Sequence, residues 1–216
     1  DVKAELARAG VAANGKQPGI RGFTGLVRAS RLGGRLEIRS SDLLLDLPEY
    51  LPQPVDVDVA EGTVVWRHSD QRTTVLSDSI RIRNDVVDSQ SNVQMTFSAD
   101  GSSPSIDLAS NWSISDVSTV TGYIPQNIIK PKLYDWFQSA LVQGSIPRGT
   151  TVLRGPLDKF PFDDDEGRFV VEASVRNMTF KYQPRWPAAT EADMEVVLDG
   201  MRLYSQNNRF VSAGNQ

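Results

Sequence analysis

Pro54-Val55-Asp56-Val57-Asp58-Val59 alternates apolar and acidic side chains residue by residue. In an extended chain successive side chains point to opposite faces, so this stretch predicts a strand with Val55, Val57 and Val59 on one side and Asp56 and Asp58 on the other. The same two-residue period recurs along most of the chain. Gly34 to Arg39 sets Leu36 and Ile38 together, Thr63 to His68 sets Val64 with Trp66, and Ser79 to Arg83 sets Ile80 with Ile82. Val93, Met95 and Phe97 alternate with Gln94, Thr96 and Ser98, and Ile106, Leu108, Ser110, Trp112 and Ile114 share one side of a longer strand. Val2 to Ala7, Val152 to Arg154, Phe169 to Val175, Met178 to Tyr182, Met194 to Leu198 and Met201 to Tyr204 read the same way.

Turn signals separate these runs: Arg31-Leu32-Gly33-Gly34, Ala99-Asp100-Gly101, Asp165-Glu166-Gly167 and Asp199-Gly200. Crossover helices between the strands are missing. Parallel sheets need them, so the pattern predicts a mainly β chain with an antiparallel sheet, one face apolar and one wet.

One segment has a different period. Ile129, Leu133, Trp136, Phe137, Ala140 and Leu141 recur at spacings of three and four. Pro131 suits a first helical turn and Gly144 a position just past the end, so the spacing predicts an amphipathic helix over 131–143. Its stripe either packs on a core or closes over a groove. A shorter helical stretch is expected around Ser115 to Val120. The helical insertion, about 115–143, then separates two β-rich parts, 1–114 and 145–216, of one segment covering 1–216.

Composition narrows the function. Twenty-three Lys and Arg are scattered among 27 Asp and Glu, for a net charge of −4, which argues against nucleic-acid binding. With no Cys and one His, thiol chemistry, disulfides and multi-His metal sites are excluded. His68 stands beside Ser69 and Asp70 in an apparent turn, where neighbours seldom assemble a triad. Asp163-Asp164-Asp165-Glu166-Gly167 lacks the spaced ligands of a calcium loop and reads as a solvated turn. No phosphate loop is present, and Asn111-Trp112-Ser113 and Asn177-Met178-Thr179 match the glycosylation triplet only as short patterns do by chance. No catalytic residue, metal or cofactor is expected. Trp66, Trp112 and Trp136 lie in apolar patterns and Trp186 in a loop or strand edge; each either packs in a core or lines a lipid-facing surface. No run reaches the length of a membrane span, and the chain opens directly in an alternating strand, so we expect a piece of a longer protein.

Several phrases carry a family resemblance: Gly122-Tyr123-Ile124-Pro125, Leu133-Tyr134-Asp135-Trp136-Phe137, Ala140 to Gly144, Gly155 to Phe162, Gly167-Arg168-Phe169, and Phe180 to Pro187. Pro18 to Gly25 and Gly62 to Trp66 fit upstream in the same order. From about Pro18 to Leu203 the chain resembles the YhdP branch of the AsmA-like proteins, with Ile124 and Phe137 where that family often has Leu. The resemblance implies a periplasmic segment of a protein anchored in the inner membrane of Gram-negative bacteria. It implies a sheet curled into an open apolar groove that conducts phospholipid between inner and outer membranes, and no enzyme. It does not identify a protein partner.

On that reading the groove-facing side chains are Leu36, Ile38, Val55, Val57, Val64, Trp66, Ile80, Ile82, Val93, Met95, Phe97, Ile106, Leu108 and Trp112. From the second half come Phe169, Val171, Phe180, Met194, Val196 and Leu198. Leu133, Trp136, Phe137 and Leu141 are expected to cap or gate the groove from the helix. The competing architecture is a closed β-sandwich for adhesion or carbohydrate binding, with the apolar faces sealed against each other; a third reading is a glycosidase or esterase.

Overall fold

A computed structural model describes residues 1–124, 131–162, 164–181 and 187–212. The alternating runs become eleven strands: β1 (Val2–Val11), β2 (Gly19–Ser30), β3 (Gly33–Asp46), β4 (Val55–His68), β5 (Arg72–Arg83), β6 (Val87–Ser98), β7 (Ser105–Ile114), β8 (Leu141–Pro156), β9 (Arg168–Phe180), β10 (Ala189–Asp199) and β11 (Arg202–Ser212). All join one sheet in sequence order, each antiparallel to the next. The sheet is curved and open. At a strand spacing of about 4.8 Å, ten steps give a trough roughly 50 Å long. A closed sandwich needs a second sheet, and every strand here belongs to the same one.

Between β7 and β8 the chain leaves the sheet for a short 3-10 helix, Val117–Tyr123, and for α1, Pro131–Ala140. The sheet does not break there: Leu108 pairs with Leu153 and Ile114 with Ile146. Helix α1 is three residues shorter than its spacing suggested. Leu141, Val142 and Gln143 are strand, with Leu141 opposite Phe180 and Gln143 opposite Thr179. Gly144 does not stop the helix. It sits inside β8 at φ 133°, where an added Cβ would lie 2.7 Å from the Cα of Met178. The apolar spacing ran on because Ala140 and Leu141 are both inward-packed, one ending a helix and the other starting a strand.

Several strands shift phase midway. Ser40 and Leu43 are both buried although three residues apart, and Asp42 between them has φ 54°. Across the ladder, Val57 and Ala60 show the same three-residue step. Val175 and Met178 repeat it in β9 around Asn177 at φ 49°. Each extra residue returns the apolar side chains to the same side, as a β-bulge does. Val59 is the casualty of this shift: it does not join Val55 and Val57 but pairs with Ser41 and Arg83 on the opposite face.

Candidate functional site: an uncharged inner face

Residues directly opposite each other on neighbouring strands share a face. One unbroken row of such partners crosses the whole sheet: Leu6, Gly25, Ile38, Gly62, Ile80, Ser91, Ser110, Thr151, Val171, Leu198 and Leu203. A second runs Ala29, Gly34, Trp66, Val75, Met95, Ile106 and Gly155. A third runs Ser40, Ala60, Ile82, Ser89, Trp112, Gly149, Ala173, Val196 and Ser205. Alternation within each strand, reset in β5 by the register shift between Ser77 and Ile80, ties these rows to one face.

This register puts the sequence-derived groove residues on that face. Leu36 pairs with Val64, and Val93 with Leu108, whose partner across β8 leads to Phe169. Met194 pairs with Val175, and Phe97 with Thr73. Val55 and Val57 reach the same side through the phase shift, where Val57 packs with Leu43 and Ala60, and Ile38, Val55 and Ile82 lie against them. Phe180 reaches it beside Met178 and Trp112. The sequence-derived list omitted other members: Ile20, Phe23, Leu43 and Leu45 in the first half, Ile146, Val175, Met178 and Ala192 in the second, and Ile114, which alternation had set beside Trp112. The run Leu43-Leu44-Leu45 hid its phase because all three residues are apolar.

No position linked in these rows carries Asp, Glu, Lys or Arg. The charges lie on the other face, where Arg81 pairs with Asp88 at 2.9 Å and Glu61 at 3.9 Å, Arg154 with Asp107 at 3.0 Å, and Arg176 with Glu195 at 2.8 Å. Arg81 holds the Asp88 carboxyl below the usual carboxylate range by hydrogen bonding, and Ser174 with Arg176 do the same for Glu195.

Exposure on the inner face is intermediate. Of the twenty groove residues named from the sequence, Val57 is buried, Phe97 is exposed, and the other eighteen are half-buried. Half-burial leaves part of each of these side chains accessible. At one end of the trough a cavity of about 560 Å³ is lined by Val2, Ala29, Leu32, Gly34 and Trp66 together with Arg28, Arg35 and Arg67.

Some polar groups that break this face satisfy one another, whereas the buried Ser77 hydroxyl, opposite Val93, has no hydrogen-bond partner among the described residues. Ser91 Oγ lies 2.8 Å from Ser110 Oγ, and Trp112 Nε1 donates to Thr151 Oγ1 at 2.9 Å. Candidate chemistry elsewhere does not assemble: exposed His68 bonds Thr73 through Nδ1 at 2.9 Å, and the Ser69 hydroxyl donates to the Arg72 carbonyl. No group of three or more metal-ligating side chains converges among the described residues, and Asp163 and Trp186 lie outside them.

Of the helix residues expected to cap the groove, Leu141 packs against Ile114, Val175 and Met178 from the start of β8. In α1, Trp136 and Phe137 meet edge to face at 5.4 Å, both half-buried; the side chain of Leu133 lies outside the described residues. The 3-10 helix reaches the inner face. Val117 is buried and Val120 packs beside it, against Ile114, Val175, Met178 and Ala192.

The family model for "YhdP protein" matches residues 1–211. This chain belongs to the YhdP family. The intermembrane phospholipid transporter YhdP of Escherichia coli K12 is 25% identical to it over 186 residues, which is 85% of this chain and 15% of that relative. The chain thus spans about 15% of the length of the relative it matches. No solved structure matches it. Among the described residues no helix is long and apolar enough to cross a membrane.

Proposed function

We propose that this chain is one stretch of a periplasmic conduit that holds phospholipid acyl chains on its inner face and passes them along the trough between inner and outer membranes. The observation that carries the reading is the uncharged, half-exposed face that runs without interruption across all eleven strands. Leaving an acyl chain in water costs about 0.8 kcal/mol per CH₂. A trough of aliphatic side chains offsets that cost along its length, while the headgroup stays in water at the open side. Because no side chain need bind tightly, a lipid can slide from strand to strand without a deep trap.

Two facts support placing the chain within a longer conduit. The relative it resembles is named as an intermembrane phospholipid transporter and is several times longer. Among the described residues, the outer strands β1 and β11 each pair on one side only, which leaves the sheet extendable at both edges. Membrane anchorage belongs, on this reading, to parts of the protein beyond this chain.

The test is to place charge on the floor. Val57→Glu and Leu108→Arg, introduced singly into the full-length protein, should each lower phospholipid transfer and weaken the outer-membrane barrier. Val59→Glu, on the opposite face of the same strand, should leave both intact. Normal transfer and barrier function with Val57→Glu and Leu108→Arg sinks the proposal, provided both proteins accumulate to normal levels.

A further inference from the structure

The two halves of the inner face are finished differently. Around β2 to β5, the hydrophobic side chains packed against Leu43, Val57 and Ala60 all come, among the described residues, from the sheet itself. Around β7 to β10, the floor residues Ile114, Val175, Met178 and Ala192 are covered by Val117 and Val120 of the 3-10 helix, and Val117 is 1% exposed. Trp112, Phe180, Met194 and Val196, all on the face proposed to hold lipid, pack against this same cluster. Two valines therefore stand where an acyl chain would lie.

We infer that the Val117–Tyr123 helix is an internal competitor for the acyl chain, and that lipid enters the β7–β10 stretch by displacing it. This rests on the conduit reading above. The helix is poorly built to stay in place. Val-Ser-Thr-Val-Thr-Gly-Tyr contains β-branched, hydroxyl-bearing and glycine residues that favour helix weakly, and 3-10 hydrogen bonds have inferior geometry. Its attachments are few and sit at its ends. Asp116 accepts from the Ser118 amide at 2.9 Å, and the Tyr123 hydroxyl accepts from Asn84 Nδ2 at 2.9 Å. The Tyr134 hydroxyl donates to the Thr121 carbonyl at 3.3 Å. The sheet beneath needs none of these contacts, since β7 and β8 pair directly. An incoming tail offers more apolar surface than two valines, so exchange is favoured when lipid arrives and the floor stays covered when it does not.

The experiment uses full-length protein carrying the photo-crosslinker benzoylphenylalanine at Phe180, in the covered half, or at Phe23, in the open half. Each is combined with Val117→Asp, which expels the helix from the apolar floor, or with Tyr123→Phe, which removes only the hydroxyl bonded to Asn84. Crosslinking to phospholipid at position 180 should start well below that at position 23. It should rise roughly tenfold in Val117→Asp and by a smaller factor in Tyr123→Phe. Crosslinking at position 23 should not change, which also reports that the sheet is intact. Equal crosslinking at both positions before substitution, or no rise at position 180 in either variant, overturns the competitor role. Absence of phospholipid at both positions in every protein overturns the conduit reading instead.

Discussion

Two tryptophans show how single residues finish the trough. Trp66 stands directly across from Gly34, and Trp112 directly across from Gly149. A Cβ added at Gly34 would fall 2.2 Å from Trp66 Cζ2, and one at Gly149 would fall 2.5 Å from the Trp112 ring. Each indole lies down over its glycine, which removes a hole in the floor and turns an aromatic surface toward the trough. Gly149→Ala should push Trp112 off its seat and break its bond to Thr151. We expect a loss of about 1–3 kcal/mol in urea unfolding and a shift in tryptophan emission. Sequence alone left each tryptophan open between core and lipid-facing surface, because the glycine across the ladder appears only once register is known. The same holds at Asp42 and Asn177. Their left-handed backbone, which costs most side chains about 1–2 kcal/mol but Asp and Asn less, resets the alternation. A two-residue period read without those resets puts Val59 on the wrong face and passes over Leu43 and Met178.

Among elements, the strands were legible and the joints between period types were not. Alternation located the later half of β6 and all of β7 well because polar and apolar residues there truly alternate. It gave no strand over β2, where the glycines at 19, 22 and 25 interrupt the pattern, and only the far end of β8. The Arg81 ladder makes a prediction at this scale. Arg81 Nε and Nη2 both donate to Asp88, at 3.2 and 2.9 Å, linking β5 to β6 on the outward face. The Asp88 carboxyl is held below its usual value of 3.8. A depressed carboxyl stabilises the fold above the unfolded value and loses that contribution as pH falls through the folded one. The contribution of Asp88 should therefore be constant from neutral pH downward and be lost below pH 3.8, so in thermal unfolding Asp88→Asn should show a shallower fall than the parent over that window. Both side chains are substantially exposed, so high salt should reduce the difference between the two proteins.

At the scale of the whole molecule, strand order followed from the absence of crossover helices, and the open curl followed from family resemblance rather than from periodicity. The free edges bear on handling the chain alone. β11 is exposed along its described length and carries Leu203, Tyr204, Phe210 and Val211, and β1 exposes Val2 and Val11. Long unprotected edges pair with other chains. The isolated 216-residue piece should self-associate in a concentration-dependent way by light scattering, and Tyr204→Lys with Val211→Lys should shift it toward monomer. The lack of ionised groups in these rows of described residues has a further consequence. A surface without charge has no means of telling a zwitterionic headgroup from an anionic one, and no Coulombic grip for salt to loosen. On the proposed conduit function, movement over it should be indifferent to ionic strength and to lipid class, which leaves sorting to whatever loads and unloads the two ends.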